Sequence, residues 1–278
     1  MTLVVAVVAP GNMGAAVGKL LTAHAVEVLT TLEGRSSASA ARAASAGMRA
    51  VSSGELVRAQ ILLSIVPPAS ALAFAELMAP ALQGAARKPV FVDCNAVSPA
   101  TAQRIGAVIE TTGAPFVDAG IIGPPPRAGA AQPSIYASGP HASQIAVLAE
   151  HGLDIRVLDG PVGAASALKM SFAGINKGII AVAAAMTLAA TRAGAATELR
   201  QALAEREPAL LAALGRKVPD MLPKAYRWVA EMQEISQFVT LEAGGEIYLG
   251  ASQLYERVAR AMASDDAELE ALRRFFKI

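Results

Sequence analysis

The sequence has few of the residues that build disulfides and metal centres. It contains one cysteine, Cys94, and three histidines among 278 residues. A single cysteine excludes a disulfide within the chain and a cysteine-cluster metal site, and it suits a reducing compartment. His24, His141 and His151 are far apart in the sequence and lack the spacing of metal ligands. We therefore expect no metal site.

The sequence also lacks an excess of charge of one sign. The 24 lysines and arginines are balanced by 23 acidic residues, which leaves a net charge of +1, and aromatic residues make up only 4% of the chain. Nucleic-acid-binding domains carry a basic stripe or patch, so we expect no nucleic-acid partner. The apolar fraction, in contrast, is 54%. A chain this apolar can bury a full core, which excludes intrinsic disorder.

No apolar run is long enough to predict a membrane span. The longest uncharged stretch, residues 178–191, is mostly alanine and is shorter than the roughly 18 apolar residues that a spanning helix needs. We interpret it as a buried central helix. The apolar run at residues 3–8 has no basic region before it and no usual cleavage site after it. The expectation is a cytoplasmic protein without a membrane partner.

The first 160 residues alternate short apolar runs with alanine-rich stretches. This alternation predicts a doubly wound, mostly parallel α/β sheet. The predicted strands are residues 3–9, 27–32, 48–51, 60–66, 89–94, 115–119, 134–138 and 155–158. After residue 163 only helical periodicity remains. We therefore predict an α/β domain over residues 1–163 and an all-helical domain over residues 164–278.

A glycine-rich turn follows the first predicted strand. Residues 9–14 (APGNMG) match the last two glycines of the G-x-G-x-x-G dinucleotide fingerprint at Gly11 and Gly14, with Ala9 at the first position. In this strand–turn–helix context the amides of Asn12 and Met13 would face a phosphate at a helix N-terminus. The sequence therefore predicts a dinucleotide-binding Rossmann domain, and an ordinary strand-to-helix turn is the alternative.

The residues that select between NAD and NADP are expected about 20 residues after the glycines. Glu33 would favour NAD by binding the ribose hydroxyls. Arg35 and Ser36 would favour NADP, because a guanidinium binds a 2′-phosphate through two hydrogen bonds and keeps its charge. The sequence favours NADP, with NAD possible. Ser36 can equally cap the following helix.

Four ordered segments, together with a fifth that departs from its pattern, resemble one enzyme family. The four are residues 9–14, 64–68 (SIVPP), 93–99 (DCNAVSP), and Gly163 followed six residues later (169 − 163 = 6) by Lys169; residues 116–123 (FVDAGIIG) occupy the place of the family's second substrate loop. In this order they resemble the β-hydroxyacid dehydrogenase family, related to 6-phosphogluconate dehydrogenase. Residues 224–232 resemble a less characterised branch of it. The resemblance implies a Rossmann domain followed by an all-helical domain, an active site in the cleft between them, and a homodimer formed through the helical domain.

The resemblance also implies where the cofactor lies. Val66 and Pro67 would border its adenosine and ribose at the carboxyl edge of the sheet. Asn95 stands where the family has a small hydroxyl residue. Its amide would hold the nicotinamide ribose or a substrate carboxylate.

Lys169 occupies the position of the family's catalytic lysine. Hydride transfer at a carbon that bears a hydroxyl needs a group that moves the hydroxyl proton, and burial can lower the pKa of a lysine toward the working pH. We therefore predict that Lys169 is the general acid/base. The alternative is a helix-surface lysine whose ammonium reaches water.

The substrate positions depart from the family pattern. Ile122 stands where the family has a serine, Gly123 keeps the first of two glycines and Pro124 replaces the second, which predicts an apolar wall with one backbone N–H to offer. Phe172 stands where the family has an asparagine, and Asn176 lies on the same helical face roughly 10 Å along the axis from Lys169. These differences predict a substrate other than a small, ordinary 3-hydroxy acid.

Trp228 and Glu231 are predicted to close over the substrate from the helical domain. Glu231 is the nearest match to a lysine of the family, and this reversal of charge would suit a cationic or amine-bearing substrate. A core role for Trp228 and a solvated Glu231 is the alternative.

The sequence thus predicts an NADP-preferring oxidoreductase that acts on a hydroxy or amino carbon of a small molecule. Ile122, Phe172 and Glu231 motivate a second hypothesis, an activity similar to that of imine reductases. The missing first glycine and the missing asparagine motivate a third, a non-catalytic NADP(H) sensor or scaffold.

Overall fold

The protein was analysed as a computed structural model that describes residues 2–127, 129, 132–239, 243–262, 264 and 267–276. It separates into two compact units, Met1–Met170 and Ser171–Ile278. The division falls inside a long helix, seven residues (170 − 163 = 7) after the boundary expected from the sequence.

The first unit is built on one sheet of eight strands. In chain order the strands are β1 (Val4–Val8), β2 (Glu27–Thr30), β3 (Arg49–Ala50), β4 (Ile61–Ser64), β5 (Val90–Asp93), β6 (Phe116–Ile122), β7 (Ser134–Ser138) and β8 (Asp154–Val157). Their spatial order is β3-β2-β1-β4-β5-β6-β7-β8. All neighbours are parallel except β6 and β7. The predicted doubly wound, mostly parallel sheet is therefore confirmed.

Helices cover both faces of this sheet. The helices of the first unit are α1 (Asn12–Ala23), α2 (Ser37–Ser45), α3 (Ala71–Gly84), α4 (Pro99–Glu110) and the start of α5 (Ala164–Arg192). Alternate residues of a strand point to opposite faces. Val5 and Val7 of β1 accordingly pack with α1, whereas Ala6 and Val8 belong to the core beneath α3 and α4. Two buried layers explain why β1 is apolar along its whole length.

The order of strands creates a crevice at the centre of the sheet. The chain leaves β1 toward β2 on one side, while β4 lies on the other side. Ligands of open α/β sheets bind at the carboxyl ends of the strands where the order reverses in this way. The glycine-rich turn after β1 and the loop after β4 flank this point, and Ala9 N donates to Ile65 O at 3.1 Å.

Every secondary-structure element among the described residues of the second unit is a helix. It contains the rest of α5 and then α6 (Ala196–Arg206), α7 (Pro208–Met221), α8 (Ala225–Val239), α9 (Ala243–Ala261) and α10 (Ala267–Phe276). By length and composition α5 could cross a membrane, with a mean hydropathy of 1.6 over its most apolar 18 residues, of which 39% are buried.

Candidate functional site

The glycine-rich turn has the geometry of a phosphate-binding turn. A Cβ on Gly14 would lie 2.1 Å from Ala9 O, so only glycine lets α1 pack this closely on the end of β1. A Cβ on Gly11, in contrast, would meet nothing within 4 Å. Gly11 precedes α1, whose first turn contains no acidic residue. The turn therefore presents free space above a helix N-terminus, which attracts anions.

Asn95 links the ends of β4 and β5. Its Oδ1 accepts the Val66 N–H at 2.6 Å, and its Nδ2 donates to Ser64 Oγ at 2.9 Å and to a carboxylate oxygen of Asp93. Both amide hydrogens of Asn95 are thus used inside the domain, and the residue is 3% exposed. A ligand would have to displace one of these partners. In the described arrangement Asn95 shapes the loop of Val66 and Pro67 rather than offering a free donor.

The two candidate cofactor-selecting groups after β2 have different surroundings. The Glu33 carboxylate accepts hydrogen bonds from Ser53 Oγ at 2.6 Å and from Ser53 N at 3.2 Å. These bonds lower the pKa of Glu33 and turn its charge toward Ser53. Ser36 caps α2 by accepting the Ser39 N–H at 3.3 Å, while Arg35 is exposed.

Arg42 is a candidate site residue beside the glycine-rich turn, and sequence reasoning missed it. Its Nε donates to Pro10 O at 3.1 Å and its Nη2 donates to Ser39 Oγ at 2.9 Å. The guanidinium therefore joins the glycine-rich turn to the first turn of α2. The sequence signal that could have identified Arg42 is its position seven residues (42 − 35 = 7) after Arg35, on the helix that starts beside the cofactor-selecting residues.

Lys169 lies at the carboxyl end of β6. It is half-buried, and its Nζ donates to Ile121 O at 2.6 Å. Ile122 follows this carbonyl. The next residue, Gly123, has φ +127°, a conformation that L side chains rarely adopt. The first unit thus brings together the ammonium of Lys169 and the two residues of the predicted apolar wall.

The substrate residues predicted in the helical unit form a separate group. Trp228 and Glu231 lie on α8, where Glu231 forms a buried ion pair with Lys177. The Lys177 ammonium lies 4.9 Å from the centroid of the Trp228 ring. Burial lowers the pKa of Lys177, and the Glu231 charge opposes this shift. Lys177 escaped sequence reasoning because its partner lies 54 residues away, and the expected acidic wall is neutralised by this pair.

Asn176 and Phe172 also have defined surroundings. Asn176 Oδ1 accepts from Lys217 Nζ at 3.0 Å, and Asn176 Nδ2 donates to Phe172 O at 3.0 Å. The Phe172 side chain is 47% exposed. An exposed phenylalanine on α5 remains available for an apolar ligand, whereas both polar groups of the Asn176 amide have protein partners.

Two buried carboxyl groups lie side by side in the sheet. Asp93 and Asp118 are paired in the register of β5 and β6. Asp93 Oδ2 is buried without a hydrogen-bond partner among the described residues. Burial, followed by the charge of Asp118, raises the pKa of Asp93 to about 7. The neighbouring Cys94 thiol is also buried, and burial raises its pKa well above the usual value.

The raised pKa of Asp93 predicts a pH dependence of stability. An unfolded aspartate titrates near pH 4 (about 3.9), so between about pH 4 and pH 7 the folded protein keeps a proton that the unfolded chain has lost. The free energy of unfolding should therefore fall as the pH rises through this window. In Asp93→Asn the fall between pH 5 and pH 8 should be smaller by about 2 kcal/mol, measured by urea unfolding.

The exposed Asp159 provides the control for this experiment. Asp159→Asn should keep the pH dependence of the parent protein. Equal slopes for the parent and Asp93→Asn would show that Asp93 is ionised throughout.

Comparisons with known proteins identify the family of the first unit. Residues 4–149 match the model of the NAD binding domain of 6-phosphogluconate dehydrogenase, and residues 190–258 match DUF1932, a domain of unknown function. An uncharacterised 28.5 kDa protein of Methanothermus fervidus is 32% identical over 184 residues, which cover 66% of this chain and 69% of that protein.

Solved structures share the fold. A conserved protein of unknown function, described as structurally similar to 3-hydroxyacid dehydrogenases, is 27% identical (TM-score 0.71; 95% of this chain, 100% of that one). Mycobacterium tuberculosis 3-hydroxyisobutyrate dehydrogenase with L-serine is 18% identical, with a TM-score of 0.72 over 98% of this chain and 100% of that one. An imine reductase variant from Myxococcus stipitatus with NAD⁺ is 20% identical, with a TM-score of 0.55 over 99% of this chain and 98% of that one.

Proposed function

Because the chain belongs to the family of the NAD binding domain of 6-phosphogluconate dehydrogenase, we propose that it is an NADP-preferring oxidoreductase with Lys169 as general acid/base. The observation that carries the proposal is the Lys169 ammonium held at the end of β6, 2.6 Å from Ile121 O. This position is on the carboxyl edge of the same sheet whose β1–α1 turn fits a dinucleotide phosphate.

The residues of the turn suit the dinucleotide. Gly11 leaves space for a pyrophosphate, Gly14 brings α1 close, and the amides of Asn12 and Met13 lie at the helix N-terminus. Val66 and Pro67 would border the ribose and adenosine, and Asn95 holds their loop in place. When bound, the nicotinamide ring supplies or accepts the hydride.

Lys169 performs the proton transfer. In the oxidative direction it takes the proton from the substrate hydroxyl or amine while the substrate carbon loses its hydride. In the reductive direction its ammonium gives this proton back. Ile122 supplies an apolar substrate contact beside Lys169, and the Gly123 N–H binds a substrate carboxylate. Within the helical unit Lys177 holds Trp228 and Glu231, and Lys217 holds Asn176.

The residues after β2 support the proposed preference for NADP. The Glu33 charge is turned toward Ser53, whereas Arg35 is exposed beside the Ser36 cap. A guanidinium in that place stabilises a 2′-phosphate and leaves NAD binding possible.

Arg35→Gln should weaken NADPH binding about tenfold or more and leave NADH binding within about twofold, because only NADPH carries the 2′-phosphate. Isothermal titration with both dinucleotides measures this difference. The matched control is Arg58→Gln, since Arg58 is an exposed arginine paired with Glu55 at 3.6 Å. An equal loss for both dinucleotides in Arg35→Gln would contradict the assignment of the 2′-phosphate to this residue.

A substrate panel tests the function itself. NADPH oxidation is followed with 3-oxo acids and with cyclic imines, each at matched concentration. Turnover of oxo acids alone supports the dehydrogenase and removes the imine reductase alternative, which Ile122 and Phe172 favour. Dinucleotide binding without turnover across the panel supports the third candidate, a sensor or scaffold.

The helical unit is proposed to form a homodimer. Ile175, Ile179, Val182 and Met186 repeat at spacings of four, three and four residues along α5, and they are between 45% and 64% exposed. They line an apolar groove of about 580 Å³ with residues of the neighbouring helices. Such a seam is typical of helix–helix contacts, and a second copy carries the same seam.

Val182→Glu should convert the dimer to monomers, because a charge at the centre of the seam would be buried without a partner. Size-exclusion chromatography with light scattering should give the 28.4 kDa monomer mass for the variant and twice that mass for the parent. The control is Leu77→Glu, since Leu77 is a 63% exposed leucine of α3. Binding of the monomeric parent to lipid vesicles would instead assign this face to a membrane.

A further inference from the structure

We propose that Asp118 and Gly120 are positioning residues, which dock the start of α5 on β6 and so fix the place of the Lys169 ammonium. Both belong to β6 and, two residues apart, point to the same face of the sheet. The inference rests on the proposed role of Lys169 and names the residues that give the ammonium its position.

Asp118 anchors the first turn of α5. It is fully buried, and its Oδ2 accepts the N–H groups of Gly163 at 2.9 Å and Ser166 at 3.1 Å. Its Oδ1 accepts from Ser166 Oγ at 2.6 Å. The first N–H groups of a helix have no partner within the helix. A carboxylate on a rigid strand that binds two of them fixes both the height and the rotation of α5.

Ser138 extends this anchor to the next strand. Its Oγ donates to Asp118 Oδ2 at 2.9 Å and accepts the Ala165 N–H at 3.0 Å. Ser138 lies on β7, opposite Asp118 in the register of β6 and β7. Two paired strands therefore hold the backbone N–H groups of residues 163, 165 and 166.

Gly120 lets the anchored helix approach the strand. A Cβ at this position would lie 2.8 Å from Ala165 O and 2.9 Å from Lys169 Cβ, closer than real Cβ atoms come. The backbone of α5 and the stem of Lys169 thus pack directly on the backbone of β6. From there the ammonium reaches Ile121 O. Any side chain at position 120 would push the lysine away from this carbonyl.

This arrangement matters for proton transfer because a general acid must lie within hydrogen-bond reach of the reacting atom. A displacement of about 1 Å can cost about 100-fold in rate. The docking of α5 therefore affects the rate of proton transfer through the position of Lys169. It does not involve the glycine-rich turn after β1, so dinucleotide binding there should not change.

The test is Gly120→Ala, with Gly106→Ala as its matched control. A Cβ on Gly106 would lie 2.9 Å from the Phe116 ring, so both variants crowd β6 to a similar degree, but Gly106 belongs to α4. Lysines labelled with ¹³C at Cε report on Lys169 directly by NMR, and Lys169→Arg identifies its signal. We expect Gly120→Ala to shift this signal and its titration midpoint, and to lower kcat about 100-fold with dinucleotide affinity within about twofold.

In Gly106→Ala the Lys169 signal and kcat should stay at the parent values. Equal responses of the Lys169 signal in the two variants would overturn the inference. The NMR readout needs no substrate, so it separates this inference from the proposed function. A Lys169 signal that moves only in Gly120→Ala supports the positioning role even if Lys169→Ala retains turnover, a result that would refute catalysis by Lys169.

Ser166→Ala is the second variant, for the case that Gly120→Ala does not fold. It removes the hydrogen bond from Ser166 Oγ to Asp118 Oδ1 and keeps the bond from the Ser166 N–H to Asp118 Oδ2. We expect a smaller shift of the Lys169 signal and a loss of about tenfold in kcat. An unchanged Lys169 signal in a folded Ser166→Ala protein would count against the role of Asp118.

Discussion

Replacing Lys169 by alanine should lower kcat about 1000-fold and leave the dissociation constant of the dinucleotide within about twofold. General acid/base catalysis by a positioned side chain contributes about 10²- to 10⁴-fold, and this contribution disappears with the ammonium. The dinucleotide is expected on the β1–α1 turn, whose backbone amides do not depend on Lys169. Steady-state kinetics together with isothermal titration separates the two effects.

Two further variants sharpen this experiment. Lys169→Arg keeps a positive charge but cannot release a proton at neutral pH, so its kcat should stay low as well. The exposed Lys19 on α1 provides the control, and Lys19→Ala should retain the parent kcat. Substantial turnover by Lys169→Arg would mean that the lysine supplies charge rather than the proton.

The second large effect is expected at Gly11. Gly11→Ala should fold with a stability within about 1 kcal/mol of the parent, because the added Cβ meets no atom within 4 Å and the φ of −73° suits any residue. The same methyl group would occupy the space that a pyrophosphate needs above the helix N-terminus. Loss of the backbone hydrogen bonds to a charged phosphate should raise the dinucleotide dissociation constant about 10- to 100-fold.

Gly84→Ala is the matched control, since a Cβ on Gly84 at the end of α3 also meets nothing within 4 Å. It should bind the dinucleotide like the parent. Gly14→Ala should behave differently from Gly11→Ala, because its Cβ would lie 2.1 Å from Ala9 O. This clash should lower the stability of the folded protein. If Gly11→Ala bound the dinucleotide with the affinity of the parent, the proposal that the cofactor binds at this turn would be contradicted.

The strands of the Rossmann domain were predictable because their signal is local. The run at residues 89–94 begins with four apolar residues, and the observed β5 (Val90–Asp93) lies within it. The bounds were less certain, since β6 ends at Ile122 rather than at residue 119. The antiparallel pairing of β7 with β6 was not predicted, because a short buried strand has the same residue pattern in either direction.

The site was predictable only where one segment determines it. The glycine-rich turn, a strand followed at once by a helix, is such a segment. The hydrogen bond from Gly163 to Asp118 joins residues 45 positions apart, and the Lys177–Glu231 pair spans 54 positions. A contact of this kind follows from the packing of elements, so the sequence pattern contained no signal for the bond between Asp118 and Gly163 or for the Lys177–Glu231 pair.

The burial of Cys94 has a practical consequence. Alkylating reagents and oxidants attack the thiolate, which a buried thiol with a raised pKa does not form at neutral pH. The native chain has no other cysteine. A cysteine introduced on the surface would therefore take up a spin label or fluorophore at that position alone, and distances between labelled sites could be measured in the otherwise natural protein.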